Sequence, residues 1–275
     1  MFVNCKKQQN LINMETSTIT NKVNIGELEQ KVKKMYHDVA LHPEGEYHFE
    51  MGRKLAEKLG YEKEDLDAIP AASIESFAGV GYFCDIANFK EGEKVLDLGS
   101  GSGMDSFIAA LKVGKSGQVT GIDMTEEQLE KATRLKNTGN FENVIFVKGY
   151  LESLPFTSES FDLVISNGVI NLCPDKEKVF AEVARVLKPK GRMVIADIVT
   201  ETQLPENITC NSTLWASCIG GAGQEDIYKS NIEKNGLEVL MVRNNSAYHF
   251  ISVSALGATK QYGVKSVSLF AEKTK

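Results

Sequence analysis

The sequence predicts an α/β fold with a doubly wound, mostly parallel sheet, N-terminal helices and an antiparallel C-terminal edge. Three observations predict it. Between residues 94 and 199, short apolar runs alternate with amphipathic segments of about a dozen residues, which is typical of parallel strands joined by helices. The apolar runs are nearly continuous, as expected for strands covered on both faces. Before residue 90 the pattern indicates helices, and after residue 236 it indicates further strands.

The first third of the chain is predicted to be a polar leader over 1–22 followed by a helical cap over 23–90. The spacing of Ile25, Leu28 and Val32 predicts a first helix over 24–34. Two more helices are predicted at 47–59 and 62–69, with Gly60 in a C-cap position between them.

The segment 91–200 is predicted to be the central α/β core. The expected strands are 95–98, 118–122, 144–147, 161–165 and 192–199, and the expected helices are 104–112, 125–136 and 175–187. Thr125 and Gln128 have the spacing of a capping box at the start of the second of these helices.

The segment 201–275 is predicted to lie on the substrate side and to close the sheet. It is irregular or helical to residue 215, and a helix over 224–235 and a strand over 237–243 follow. The β-rich runs 248–256 and 264–271, separated by a turn-like stretch, predict an antiparallel hairpin at the sheet edge.

Composition limits the class of protein. With 275 residues, 42% of them hydrophobic, the chain can bury a sizeable core. The net charge is −6 and no basic face is visible, so we expect no nucleic-acid partner, and no apolar run reaches the roughly 20 residues of a membrane span. Five cysteines without a CxxC pair indicate no metal site and a reduced, cytoplasmic setting. The oligomeric state is left open.

A glycine-rich turn follows the first predicted strand, in the sequence VLDLGSGSG at 95–103. Gly99, Gly101 and Gly103 allow a tight turn and a close approach of the backbone to a ligand, with Ser100 between them. The following helix start offers free N–H groups. On its own, such a loop is also compatible with a tight turn that binds nothing. Dinucleotide sites have GxGxxG spacing, whereas here Met104 stands at the last glycine position.

Acidic and amide side chains stand at the ends of successive predicted strands. Asp97 would repel a pyrophosphate and attract an ammonium or sulfonium group, which disfavours NAD. Asp123 is placed to accept hydrogen bonds from ribose hydroxyls, as it also would be in an NAD site. Leu151 and Glu152 can flank an adenine ring, and Asn167 ends the fourth strand. The pattern predicts S-adenosyl-L-methionine as cofactor, with S-adenosyl-L-homocysteine as product.

Residues 61–241 resemble the arsenite methyltransferases, within the class I S-adenosylmethionine-dependent methyltransferases. The resemblance is carried by the glycine-rich turn and by GIDMTEEQL at 121–129, SNGVINL at 166–172 and LWASCIGGA at 214–222. It implies a seven-stranded Rossmann-like fold and methyl transfer to a small-molecule acceptor. It also implies that Tyr36 covers the methionine end of the cofactor, and it adds Met124 to the cofactor-binding residues.

The resemblance further implies that three cysteine thiolates from separate segments hold trivalent arsenic. Only the third, Cys218, is present, because Val80 (within 79–81) and Gly168 occupy the other two positions. Arsenic(III) is a soft centre that prefers several thiolates, so one cysteine predicts weak, unselective binding. Cys84 and Cys173 are near in sequence, but they could substitute only if the loops were rearranged.

Three functional hypotheses follow. The first is methylation of a small soft acceptor, a metalloid or a thiol, with Cys218 as the catalytic residue that contacts it. The second is methylation of a small organic oxygen, nitrogen or carbon nucleophile, for which His37 is a candidate base. The third is a module that binds the cofactor without turnover. A buried structural role is the alternative for Cys218.

Overall fold

A computed structural model describes residues 23–216 and 218–274, and the predicted leader over 1–22 lies outside this part of the chain. The helices are α1 Ile25–Leu41, α2 Gly52–Leu59, α3 Lys63–Asp67, α4 Ala71–Glu75, α5 Cys84–Ala87, α6 Met104–Val113, α7 Glu126–Thr138, α8 Lys176–Val186, α9 Glu206–Thr209, α10 Ser212–Ala216, α11 Glu225–Lys234 and α12 Val253–Tyr262, and a 3-10 helix spans Ile170–Leu172. The strands are β1 Lys94–Leu98, β2 Gln118–Asp123, β3 Val144–Lys148, β4 Phe161–Asn167, β5 Leu187–Thr200, β6 Gly223–Gln224, β7 Leu237–Asn244 and β8 Lys265–Lys273.

The sheet has the strand order β3-β2-β1-β4-β5-β8-β7, and the short β6 pairs with β5 beside this path. Strands β1 to β5 are parallel, whereas β8 runs antiparallel to both β5 and β7. Leu98 of β1 pairs with Ile122 of β2 and Ser166 of β4, so these three strands end at the same edge. The predicted α/β fold with an antiparallel C-terminal edge is confirmed.

Both faces of the sheet are covered. In β1, Val95 belongs to the buried cluster that includes Leu28 of α1 and Phe107 of α6. Leu96, its neighbour in sequence, belongs to the cluster on the opposite face, with Phe180 of α8. This double burial explains why the strands are apolar throughout and not alternating.

The predicted hairpin of 248–256 and 264–271 is wrong. Residues from Val253 onward form α12, whose N-cap Ser252 accepts a hydrogen bond of 3.2 Å from the N–H of Ala255. Ala255 and Ala258 are buried and have the spacing of one helix face. Because both side chains are small, this pattern is a weak indication of a helix in the sequence. The second run does form a strand, β8, but its partners are β5 and β7.

The first helix is longer than predicted. Asn24 caps α1 by accepting a hydrogen bond of 3.1 Å from Glu27 N, as the predicted start implies. The helix then continues to Leu41, because Val39 and Ala40 extend its buried face. In contrast, α2 begins at Gly52, since the residues from 47 onward form an aromatic loop instead. In the two described ranges, no helix is long and apolar enough to cross a membrane.

Candidate active site

A cavity of about 430 Å³ lies where β1, β2, β3 and β4 end, and α1 covers it. This volume falls within the roughly 300–1,000 Å³ typical of small-molecule sites. Ten of the predicted site residues line it: Tyr36, Asp97, Gly99, Ser100, Gly101, Asp123, Met124, Leu151, Glu152 and Asn167. Gly103 and Cys218 are not among the lining residues.

The three glycines of the turn have different roles. A Cβ atom at Gly99 would lie 2.3 Å from Cγ2 of Val169, and one at Gly103 would lie 2.7 Å from the Phe146 ring. Both positions also have positive φ, so packing alone requires glycine there. A Cβ atom at Gly101 would have Oε1 of Gln128 as its nearest neighbour, at 3.7 Å, so Gly101 is the position with room for a ligand.

Two buried carboxylates, Asp97 and Asp105, line the cavity together. The Ser106 hydroxyl donates a hydrogen bond of 2.6 Å to Oδ2 of Asp97. Burial raises the pKa of Asp97, and the nearby charge of Asp105 raises it further. Burial also raises the pKa of Asp105. A cationic ligand would stabilise the ionised form of both groups.

Asp105 belongs to a polar network that the sequence analysis missed. Tyr61 donates a hydrogen bond of 2.6 Å to Oδ1 of Asp105, and Nδ2 of Asn167 lies 3.1 Å from Oδ2. Oδ1 of Asn167 accepts hydrogen bonds from the N–H groups of Val80 and Gly81, at 2.8 and 3.3 Å. The network joins the end of β4, the start of α6 and the segment before β1. An acidic residue in a helix's first turn is so common that Asp105 gave no separate signal.

Asp123 is held at the end of β2 by backbone donors. Its Oδ1 accepts from Thr125 N at 2.8 Å, and its Oδ2 accepts from Gly101 N at 3.0 Å. Burial raises the pKa of this carboxyl group, and the backbone hydrogen bonds oppose that shift. Asp123 thus fixes the glycine turn while its side chain borders the cavity, as the ribose-binding prediction requires.

The predicted capping box at Thr125 is wrong. The Thr125 side chain makes no cap hydrogen bond, and Gln128 faces the cavity. Oε1 of Gln128 accepts a hydrogen bond of 2.5 Å from Ser102, and its Nε2 donates to the backbone oxygen of Tyr36 at 2.9 Å. Gln128 makes these two hydrogen bonds and does not cap the N-terminus of α7. It therefore links the glycine turn to α1.

A second set of contacts holds α1 over the cavity beside Leu151 and Glu152. Tyr150 donates a hydrogen bond of 2.7 Å to Glu29, and its oxygen accepts one of 2.8 Å from Lys33. Burial raises the pKa of Glu152 in this part of the cavity. The segment after β3 therefore both lines the cavity and anchors its cover.

The four cysteines that the structure describes do not form a metal site. Cys218 is buried, and burial, followed by the charge of Asp197, raises the pKa of its thiol to about 12. Cys173 lines the cavity, whereas Cys84 lies at the start of α5 and is not a lining residue. A Cβ at Gly168 would lie 3.1 Å from Cγ1 of Val80, so these two positions are adjacent. Among the residues described, no group of three His, Cys, Asp or Glu side chains could hold a metal ion.

His37 does not reach the cavity. Its Nδ1 lies 3.0 Å from Oε1 of Glu127, and its side chain is 42% exposed. The structure therefore does not bring the predicted candidate base to the site.

The residues present fit a polar, cationic ligand. Oγ of Ser100 is buried in the cavity wall and has no hydrogen-bond partner in the described part of the chain. A buried hydroxyl without a partner is costly, and a polar ligand in the cavity would satisfy it. Together with Asp97, Asp105 and Asp123, this hydroxyl matches the ammonium, sulfonium and ribose groups of S-adenosylmethionine.

Comparisons with known proteins agree with this chemistry. Residues 89–236, just over half of the chain, match the family model described as "Methyltransferase domain". An arsenite methyltransferase of Halobacterium salinarum is 38% identical over 202 residues, covering 72% of this chain and 50% of the relative. The human arsenite methyltransferase is 45% identical over 137 residues, covering 46% of this chain and 36% of the relative. The chain thus spans half or less of the length of these curated relatives.

Solved structures share the fold. CrArsM, an arsenic(III) S-adenosylmethionine methyltransferase from Chlamydomonas reinhardtii, aligns with a TM-score of 0.65 at 32% identity, over 78% of this chain and 73% of that chain. A geranyl diphosphate C-methyltransferase from Streptomyces coelicolor, solved with S-adenosyl-L-homocysteine, aligns with a TM-score of 0.66 at 16% identity, over 91% of this chain and 99% of that one. At that identity it supports the fold alone. The chain belongs to the methyltransferase domain family, within the class I S-adenosylmethionine-dependent methyltransferases.

Proposed function

We propose that this protein transfers a methyl group from S-adenosylmethionine to a small soft acceptor, a metalloid or a thiol. The observation that carries the donor assignment is a single cavity lined by Asp97 near the end of β1, Asp123 at the end of β2 and Glu152 in the segment after β3. The names of the relatives support the acceptor class, since the matched proteins of Halobacterium salinarum and human are arsenite methyltransferases.

Each donor-binding residue has a role that its position supports. Asp97 holds the ammonium group of the methionine end, and Tyr36 on α1 covers that end. Asp123 accepts hydrogen bonds from the ribose, and Leu151 and Glu152 flank the adenine. The bound cofactor supplies an electrophilic methyl group on a sulfonium, and α1 excludes water from it.

Met124, Gly99, Ser100, Gly101 and Asn167 complete the proposed donor site, all of them lining residues. Gly101 gives the donor room to approach the backbone, whereas Gly103 acts indirectly by allowing the turn before α6.

Cys218 is the proposed contact with the acceptor. Cys218 is near enough to Tyr36 that its charge helps, after burial, to raise the pKa of Tyr36, and Tyr36 lines the cavity. Because burial keeps the Cys218 thiol protonated at neutral pH, binding of a soft centre would release this proton. A soft nucleophile needs no further base.

One observation favours a second candidate, methylation of a small organic oxygen, nitrogen or carbon nucleophile. Val80 and Gly168 give two of the three expected arsenic-binding positions no thiols, which weakens the case for a soft acceptor. Such chemistry needs a base, and neither His37 nor His48 is among the residues that line the cavity. The Nε2 atom of His48 is buried without a hydrogen-bond partner among the described residues. A module that binds the donor without turnover is the third candidate.

We further propose that the protein acts in the cytoplasm on a small molecule, and not on nucleic acid or at a membrane. The net charge of −6 gives little attraction for anionic polymers, and Cys84, Cys173 and Cys218 form no disulfide among the described residues.

A methyl-transfer assay tests the proposal. The protein is incubated with labelled S-adenosylmethionine and arsenite, small thiols or catechol-like acceptors. We expect turnover of arsenite or a thiol, with loss of at least about tenfold in Cys218→Ser, since a soft centre loses its thiolate ligand. Turnover of an organic acceptor alone, unaffected by Cys218→Ser, would select the second candidate. Donor binding without any turnover would select the third.

A further inference from the structure

We propose that Asp105 is a second anchor for the cationic end of the donor and that, with Asp97, it makes the cavity prefer S-adenosylmethionine over S-adenosylhomocysteine. This inference rests on the proposed function. S-Adenosylmethionine carries an ammonium and a sulfonium charge, whereas the product retains only the ammonium charge. A site with two carboxylates near that end therefore favours the donor over the product.

The geometry places both carboxylates in the wall of one cavity. Asp97 is the last residue but one of β1 and Asp105 lies in the first turn of α6, on either side of the glycine turn. Their residues are only 2% and 8% exposed. Each side chain is fixed by a short hydrogen bond of 2.6 Å, from Ser106 to Asp97 and from Tyr61 to Asp105. The two carboxylates are therefore held in position before any ligand arrives.

Asp105 has acceptor capacity left for a ligand. One oxygen accepts from Tyr61 and the other from Asn167. An ionised carboxylate has about four lone-pair sites, so about two remain. Since Asp105 borders the cavity, a ligand ammonium can reach the remaining lone pairs.

The surroundings supply negative charge and no counter-ion. The titratable groups that act on Asp97 are Asp105 and Asp123, and those near Asp105 are Tyr61 and Cys84. No ion pair within residues 23–216 and 218–274 includes Asp97, Asp105 or Asp123. Burial without a counter-ion keeps these groups partly protonated, and a cationic ligand would favour their ionised forms.

An independent feature points to the same ligand position. Oγ of Ser100 lies between these carboxylates in sequence, is buried, and finds no partner among the described residues. A hydroxyl can donate to the ligand carboxylate or accept from its ammonium. The donor's methionine end offers both groups, so it satisfies Ser100 and pairs with Asp97 and Asp105 at once.

Isothermal titration calorimetry of the full chain tests the proposal, with S-adenosylmethionine and S-adenosylhomocysteine titrated in two buffers of different ionisation enthalpy. The difference between buffers gives the number of protons released on binding. At about pH 6.5 the ligand ammonium is still charged, because α-amino groups titrate near 7.7–8.0. We expect Asp105→Asn to weaken donor binding by about 10- to 100-fold, the size of a lost charge-assisted hydrogen bond, and product binding by less. We also expect it to release fewer protons than the wild type.

Tyr61→Phe should have the opposite effect to Asp105→Asn on the number of protons released when the donor binds. It removes a hydrogen bond that stabilises ionised Asp105, so it should raise the pKa of Asp105 and increase the protons released. If Asp105→Asn does not fold, Tyr61→Phe still tests the proposal. Asp226→Asn, at an exposed position on α11, is the control and should match the wild type.

The outcomes separate this inference from the proposed function. Equal losses for donor and product in Asp105→Asn, or proton release unchanged in both variants, would overturn the role of Asp105 while donor binding stands. Failure of the wild type to bind S-adenosylmethionine would overturn the proposed function itself. Opposite shifts of proton release in the two variants would support the inference.

Discussion

Oδ1 of Asn167 accepts a hydrogen bond of 2.8 Å from the backbone N–H of Val80. This contact joins the end of β4 to the segment before β1, across 87 residues of sequence. The amide group of the same side chain reaches Asp105. Asn167 thus positions both Val80, on the proposed acceptor side, and Asp105, at the acidic end of the cavity.

Asn167→Ala should destabilise the fold. It leaves the N–H groups of Val80 and Gly81 without their side-chain acceptor, and both residues are buried. We expect the free energy of unfolding to fall by about 1–3 kcal/mol, the cost of buried unsatisfied donors. Urea denaturation measures it. Asn137→Ala, exposed on α7, is the control and should stay within about 0.5 kcal/mol of the wild type. Equal stability of both variants would contradict the bridging role.

Two glycine variants should separate folding from ligand binding. Gly99→Ala should destabilise strongly, by about 3 kcal/mol or more, since its Cβ meets Val169 at 2.3 Å and overpacking adds to the backbone strain. In Gly101→Ala the added Cβ would have no neighbour closer than 3.7 Å. The free energy of unfolding should therefore fall by only about 1 kcal/mol, which is the cost of the positive φ at this position. Thermal unfolding without and with the donor checks both. Gly101→Ala should lose most of the donor-induced stabilisation, and full retention would show that the donor does not approach this glycine.

Stability without ligand should fall as pH rises. Burial raises the pKa of Asp97 in the folded state, whereas the unfolded chain has an ordinary carboxyl pKa near 3.9. Between these values the folded state binds more protons than the unfolded state, so the free energy of unfolding decreases with pH. The stabilisation is complete below the ordinary pKa and is lost as pH passes through the raised one. Urea denaturation from about pH 5 to about pH 8 should give a shallower decrease for Asp97→Asn than for the wild type. Identical slopes would mean that Asp97 does not titrate in this range.

Cys218 should react slowly with alkylating reagents. Burial raises the pKa of its thiol to about 12, and the thiolate is the reactive form. We expect mass spectrometry of iodoacetamide-treated protein to find Cys210, which is only partly buried, modified before Cys218. Bound arsenite should protect Cys218 further if the thiol contacts the acceptor. Equal protection of Cys210 would indicate a general change in exposure.

Much of the cavity lining could be predicted from the sequence because its residues lie at or just after strand ends. Asp123 and Asn167 end β2 and β4, Asp97 is one residue from the end of β1, and parallel strands in register bring such ends together. The Gly99–Gly103 spacing also disfavoured a dinucleotide loop without structural information. The division of the chain near residues 23, 91 and 201 stays a prediction.

The missed features depend on contacts distant in sequence. Gln128 has capping-box spacing, yet it hydrogen-bonds Ser102 and the backbone of Tyr36, 92 residues away. Asp105 lies in the first turn of a helix, where acidic residues are common. Its role in a polar network becomes visible only from its hydrogen bonds with Tyr61 and Asn167 in the folded protein. A local sequence pattern does not show whether a side chain hydrogen-bonds to a neighbouring residue or to one that is distant in sequence.

The central claim is that the acidic end of the cavity selects a cationic nucleoside over a diphosphate. Thermal unfolding of the wild-type protein with S-adenosylmethionine, S-adenosylhomocysteine or NAD tests it most directly, because a ligand that binds only the folded state raises its stability. We predict an increase in Tm with the first two ligands, larger for S-adenosylmethionine, and none with NAD. An increase with NAD and none with the other two would contradict the account.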